Sequence, residues 1–171
     1  MLNVPLREIA RIRAVVPAAS FDHPDQPRVV FVVENSGVFS EIMDGFSGTY
    51  LPPVVCTHGQ FKLACLMLLD KLVANNTIIY YSGDFDPEGL QMAVRLLQRY
   101  PNQAVPWRYT VDDYGHCMSE VTLSESRLKR VNTIDHPLLV PVRDIMRSVR
   151  KAGYQEYLVK DLVDDIKDVL G

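Results

Sequence analysis

Ile78-Ile79-Tyr80-Tyr81-Ser82-Gly83-Asp84-Phe85-Asp86-Pro87-Glu88-Gly89-Leu90 decides how the rest of the chain is read. The run Ile78 to Ser82 is apolar and aromatic, rich in strand formers, and it stops at a glycine, as a buried strand does at the edge of its sheet. Beyond it Leu90, Ala93, Val94 and Leu97 fall at i, i+3, i+4 and i+7, the apolar stripe of a helix packed on a sheet. Asp84, Asp86 and Glu88 therefore stand where a buried strand turns into a helix, the place where open α/β sheets keep their ligands. Helix chemistry explains two of them: Asp86 can cap the helix with Pro87 at its first position, and Glu88 faces the positive end of the dipole. It does not explain Asp84.

Working outward, the same grammar recurs. Val29 to Val33 is a continuous β-branched and aromatic run, the mark of a strand buried on both faces, and it ends in Glu34-Asn35-Ser36. Ser36 is placed to cap a helix striped by Phe39, Ile42, Met43 and Phe46, closed by a turn from Gly45 to Gly48. Pro52 to Cys56 reads as a second strand leading into Thr57-His58-Gly59, followed by a helix with Phe61, Ala64, Cys65, Leu68 and Leu72 on one side. Val105 to Tyr109 reads as a fourth strand, with Asp112 and Asp113 in the loop after it. Strand–helix repeated three times and then a strand predicts an α/β fold: a four-stranded, mainly parallel sheet flanked by helices, with extra C-terminal helices. Val4 to Val16 is expected to be a helix, Pro17 to Pro27 a loop, and Tyr154 to Leu170 a helix burying Leu158, Leu162, Ile166 and Val169. The division expected is an N-terminal helix and linker over 1–27, then one domain over 28–171.

In a parallel sheet the carboxyl ends of all strands share one edge. Glu34, Gly59 and Asp84-Phe85-Asp86 are thereby predicted to meet at one crevice. Two like charges ~4 Å apart repel by about 4 kcal/mol at an effective dielectric near 20, a large part of a stability of ~5–15 kcal/mol. Converging carboxylates must be protonated in part or share a divalent cation. All-oxygen ligands favour Mg²⁺ or Mn²⁺ over zinc.

Composition sets the outer bounds. The 171 residues suffice for one domain with a sizeable core, and no apolar run approaches the ~18 residues of a membrane span. Arg7, Glu8, Arg11 and Arg13 interrupt the N-terminus where a signal peptide would be apolar, and Cys56, Cys65 and Cys117 show no Cys-x-x-Cys spacing. A cytoplasmic protein without a membrane partner is expected. The net charge of −3 hides a segregation: seven Lys or Arg lie between Arg127 and Lys151, against only Asp135 and Asp144. Nucleic acid would have to be held by such a patch or by a neighbouring domain.

These residues carry a resemblance. Glu34 closing the first strand, Gly59 after the second and Asp84-x-Asp86-x-Glu88 after the third resemble the Toprim domain, and Val32-Val33-Glu34-Asn35, Val54-Val55-Cys56-Thr57-His58-Gly59-Gln60, the stretch Tyr81 to Leu90, and Pro106-Trp107-Arg108 carry the likeness to one branch of it. That metal-binding fold is shared by topoisomerases, bacterial primases, OLD-type nucleases and a ribosomal-RNA maturation nuclease. The wording is nearest to a bacterial Toprim-like domain that usually forms the C-terminal part of a longer protein. That branch is similar to the topoisomerase VI A subunit and to the nuclease subunit of the Wadjet plasmid-defence system. The likeness runs from Arg28 to Arg108 and more loosely through Gln155-Glu156-Tyr157-Leu158-Val159.

The resemblance implies that Asp84 and Asp86 are metal ligands, Glu34 a general acid/base or further ligand, and Glu88 an outer ligand. It implies Mg²⁺-dependent cleavage of DNA phosphodiesters as the catalytic part of a larger protein, with other subunits or an upstream DNA-binding domain as partners. The topoisomerase branch also needs a nucleophilic tyrosine, and none of the eight here has a context that suggests one, so hydrolysis by water is the expected route. His58, Arg108 and the stripe Arg143, Arg147 and Arg150 are the candidates for contact with nucleic acid, although a turn histidine and a solvated charged face are the commoner roles. Two other readings stand beside this one. A non-catalytic module could keep the crevice to bind nucleic acid or a nucleotide. A phosphotransferase could use Asp84 as nucleophile, as haloacid-dehalogenase-like enzymes do, but there the Asp-x-Asp usually follows the first strand.

Overall fold

The computed structural model describes residues 4–17, 28–46 and 51–170. The segment β1 (Val29–Val33) is buried at every position, as its unbroken apolar run requires. After it come α2 (Ser36–Asp44), β2 (Val54–Cys56), α3 (Leu63–Val73), β3 (Ile78–Ser82), α4 (Pro87–Arg99) and β4 (Ala104–Pro106), with α1 (Leu6–Arg11) ahead of them. The four strands form one parallel sheet in the order β2-β1-β3-β4. The chain thus steps from β1 outward to β2, then crosses back to β3 and β4. The reversal falls between β1 and β3.

Right-handed crossovers then assign the layers. The helices α3 and α4 are neighbours, joined by Arg99 and Asp70 at 2.7 Å, and α1 packs on α3. Across the sheet, α2 meets α8 (Val159–Leu170), where Gly45 leaves room for Val163. Phe31 and Tyr81 at the centre of the sheet are wholly buried.

The remainder of the chain builds a second layer of structure over the β3–β4 end. It comprises α5 (Val111–Cys117), β5 (Met118–Thr122), α6 (Glu125–Val131), α7 (Val140–Val149), β6 (Lys151–Gly153) and a 3₁₀ turn (Gln155–Leu158) leading into α8. The strands β5 and β6 pair antiparallel with a bulge between Met118 and Thr122. Phe85 forms a further antiparallel bridge to Gly153, with N–H···O distances of 2.9 and 3.0 Å. The backbone between Asp84 and Asp86 is thereby fixed to β6. No helix among the described residues is long and apolar enough to cross a membrane.

Several boundaries differ from the sequence expectation. The first helix covers only Leu6–Arg11, because Ile12 turns extended. The strand expected from Pro52 begins at Val54, since two prolines lack the N–H groups a ladder needs. Asn35, not Ser36, caps α2, accepting a hydrogen bond from Gly37 N at 2.7 Å. Asp112 and Asp113 lie in α5 rather than a loop: Thr110 and Asp113 form a capping box. The C-terminal helix starts as a 3₁₀ turn, and Val169 stays partly exposed. The glycine turn expected from Gly45 to Gly48 and the loop from Pro17 to Pro27 fall largely outside the described residues.

The fourth strand ends at Pro106, three residues short of the expected Tyr109, and the reason is tertiary. Arg108 takes a left-handed backbone (φ 57°) that turns the chain off the sheet. Its guanidinium and the Trp107 indole both donate to Asp165 on α8, the indole Nε1 at 2.7 Å and Arg108 Nε at 2.7 Å. Asp165→Ala strands a buried indole N–H and leaves the Arg108 guanidinium only its more distant partner, Asp113 at 3.5 Å. A loss of roughly 2–3 kcal/mol is expected, read as a lower midpoint in urea with an unchanged slope.

Candidate metal centre

The register of the sheet brings the predicted carboxylates to one rim. Val33 is level with both Ser82 and Cys56, so Glu34 and Gly83 are the next residues out on adjacent strands. The turn after β2 is held to the same edge by Thr57 N on Val33 O (2.9 Å) and Gly59 N on Glu34 O (3.1 Å). Glu34 and Asp84 therefore flank the reversal point of the sheet.

The space between them is shaped by what Gly83 lacks. A Cβ there would lie 2.7 Å from Glu34 Oε2, 2.8 Å from the Tyr81 hydroxyl and 2.9 Å from the Tyr109 hydroxyl. Three buried oxygens thus surround the place of a missing methyl group. None has a hydrogen-bond partner among the described residues. Both tyrosines are buried, which holds their hydroxyls well above the ordinary phenol range and so neutral.

Burial, together with the charges of Asp84 and Asp86, raises the Glu34 carboxyl to about 7. The Asp84 N–H and the Tyr81 hydroxyl favour its charged form. Asp84 is raised to about 6 by burial, opposed by the Gln155 N–H that its Oδ1 accepts at 2.8 Å and helped by Glu156 and Asp86. Two acids titrating near neutrality side by side are what uncompensated carboxylates do when water is scarce.

Asp86 and Glu88 are in a different condition. Asp86 Oδ1 caps α4 by accepting from Gly89 N at 2.7 Å, and its Oδ2 accepts from Arg127 Nη2 at 2.7 Å. The same Nη2 reaches Glu88 Oε2 at 2.7 Å, and Arg130 holds the other Glu88 oxygen. Burial raises Asp86 despite these donors; at Glu88 burial also pushes upward, but the two arginines outweigh it and hold the carboxyl below its ordinary value. Among the described residues no three Asp, Glu, His or Cys side chains already stand grouped to enclose an ion. Asp86 and Glu88 are turned to Arg127 instead.

A family model described as "Protein of unknown function C-terminus (DUF2399)" matches residues 2–166. The chain belongs to that family. No curated protein matches it.

In this DUF2399 chain the oxygens left over suit a hard divalent ion. Glu34 Oε2 has no partner among the described residues and Asp84 uses one oxygen on the Gln155 N–H, so the free groups are carboxylate oxygens. Sequence reasoning missed Tyr109, Gln155, Glu156, Arg127 and Arg130. Gln155 and Glu156 carried a signal, since both lie in the C-terminal segment that shared the resemblance; here Glu156 neighbours Asp84 and accepts from Asn35 Nδ2 at 2.5 Å.

The predicted nucleic-acid contacts scatter. His58 is exposed on a left-handed turn (φ 53°) beside Gly59, at the same rim as Glu34. Arg108 is turned into the fold, against Asp165 and, at 3.5 Å, Asp113, which gives it a structural role the sequence reading did not assign. The stripe on α7 is not a row of free cations. Arg143 bonds Asp144 and the Ile134 carbonyl, Arg147 lies 3.7 Å from Asp144, and Arg150 pairs with Glu125.

Proposed function

We propose that this domain holds Mg²⁺ or Mn²⁺ between Glu34 and Asp84 and cleaves phosphodiesters of DNA, as the catalytic part of a larger DNA-processing protein. One observation carries the reading: a buried carboxylate oxygen of Glu34 without a partner among the described residues, set beside Asp84 at the reversal point of a parallel sheet. The likeness to the Toprim domain supports it, because that likeness rests on the same Glu34 and Asp84-x-Asp86. The family's description as a C-terminus agrees with a place at the end of a longer chain.

A divalent ion bound there would supply Lewis-acid charge for phosphate oxygens and lower the pKa of a water in its shell. The chain's own groups do the rest. Asp84 is fixed by the Gln155 N–H, so its orientation is set before any ligand arrives. Glu34 would be held ionised by the cation it shares with Asp84, and its carboxylate would orient a water in the ion's shell. Tyr81 and Tyr109, held neutral by burial, close the space behind Glu34 Oε2.

The test is nicking of supercoiled plasmid in Mn²⁺ by the wild type, Asp84→Ala and the exposed control Asp112→Ala. Wild type and control should nick, and Asp84→Ala should lose at least about 10²-fold, the usual scale for removing a group that stabilises the transition state. A second reading has an observation of its own: Arg127 ties up Asp86 and Glu88, which favours a non-catalytic module that binds nucleic acid or a nucleotide in an assembly. Metal-dependent DNA binding without nicking by any of the three proteins would establish the module and end the nuclease proposal.

A further inference from the structure

We propose that the Arg127 guanidinium is the resident second cation of this centre, so that the domain takes one divalent ion, at Glu34 and Asp84, and not a pair. The inference rests on the metal reading above and adds the number of ions and the residue that sets it.

The first ground is how Arg127 binds. A single nitrogen, Nη2, lies 2.7 Å from Asp86 Oδ2 and 2.7 Å from Glu88 Oε2. It bridges two carboxylates as an ion shared between them would. Its Nε–H is meanwhile buried with no acceptor. A guanidinium placed for its own hydrogen bonding would not leave that donor empty, so the carboxylates fix where it sits.

The second ground is charge. Asp86 and Glu88 carry two negative charges, and Arg127 and Arg130 carry two positive ones, paired with them directly. Glu34 and Asp84 remain, two carboxylates with no basic side chain paired to either among the described residues. One divalent cation balances them. Glu156 is a third carboxylate near Asp84, but it is exposed and takes a hydrogen bond from Asn35. A second divalent ion at Asp86 would sit against Arg127 and meet its repulsion.

The third ground is what Asp86 would give up. Its Oδ1 caps α4 and its Oδ2 holds Arg127, so turning toward an ion breaks a helix cap and an ion pair together. Arg127 cannot easily retreat either. It projects from α6, which buries Leu128 and Val131 and packs against α4. Half of the acidic rim is thus kept ordered by a cation that no chelator removes.

Counting bound Mn²⁺ tests this without reference to activity. The full chain, stripped with EDTA and dialysed at pH 8, is titrated with Mn²⁺ while free ion is read by electron paramagnetic resonance. Wild type and Arg127→Lys should bind one ion per chain, Asp84→Asn none, and Arg127→Met two. Two ions on the wild type, or one on a folded Arg127→Met, would overturn the assignment; the wild-type count decides even if Arg127→Met does not fold. No ion on the wild type would instead remove the metal reading, and with it this inference, so the two failures are told apart.

Discussion

Stripped of divalent ions, the protein is expected to melt at a lower temperature at pH 8 than at pH 5, and Mg²⁺ is expected to reverse the difference. The sign follows from the two carboxyls at the rim. Glu34 titrates near 7 in the folded chain against an ordinary 4.5, and Asp84 near 6 against 3.8. Between those limits the folded protein holds protons that the unfolded chain has released. Stability must then fall as pH rises through the window from about 4 to about 7. At about 1.4 kcal/mol per pH unit the parts of the two shifts that fall between pH 5 and pH 8 would reach ~4 kcal/mol. Both groups are partly reached by solvent, which screens the interaction and cuts the effect to roughly 2–3 kcal/mol. For a domain of this size that is about 4–12 °C in Tm.

Metal acts on the opposite arm. An ion that binds only the folded state adds about 2.7 kcal/mol at a hundred times its Kd. At pH 8 both carboxyls are ionised and need release no proton to bind it, whereas at pH 5 they must. The Mg²⁺ increment should therefore be large at pH 8 and small at pH 5. Glu34→Gln should flatten the EDTA profile and remove most of the increment. A melting temperature that climbs from pH 5 to pH 8 in EDTA would mean the rim carboxylates are already compensated, and the case for a cation there would fail.

How much of this could be read in advance depends on how local the cause is. Val29–Val33 announced itself, because a strand buried on both faces leaves an unbroken apolar run. The stripe of α4 and its Asp86-Pro87 start were equally plain, being consequences of spacing within a few residues. The rim position of Glu34 and Asp84 followed once strand–helix alternation implied parallel strands. The small sheet did not. Met118–Thr122 is mostly exposed and mixed in polarity, and Lys151–Gly153 is too short to show a period. The left-handed Arg108 has no local signal, since its partner Asp165 is 57 residues away. Arg127 and Arg130 read only as members of the basic segment from Arg127 to Lys151. Their carboxylate partners stand about forty residues upstream, and nothing near them in sequence says so.

Gly89→Ala is expected to be the most damaging single methyl in the protein. Gly89 is the third residue of α4, where alanine would ordinarily gain up to about 1 kcal/mol in helix propensity. Here an added Cβ would overlap the Asp84 carbonyl oxygen and lie 3.1 Å from both the Asp84 carbonyl carbon and its amide nitrogen. All three are backbone atoms, so no side-chain rotation relieves the clash. The loop cannot swing clear, because Phe85 is bonded on both sides to Gly153 and Asp84 Oδ1 to Gln155 N. Nor can the helix start shift without breaking the Asp86 cap on Gly89 N. Overpacking of this kind typically costs 1–3 kcal/mol and more where nothing can yield; ~3 kcal/mol or above is expected, about 6–12 °C in Tm. Gly115→Ala is the internal control. It also lies in a helix, its Cβ would meet nothing within 4 Å, and it should be neutral or stabilising by up to about 1 kcal/mol. The pair separates helix propensity from close approach. A Gly89→Ala protein that melts within about 2 °C of wild type would show that the turn from Asp84 into α4 can relax. The fixed placement of Asp84 on which the metal centre depends would then be gone.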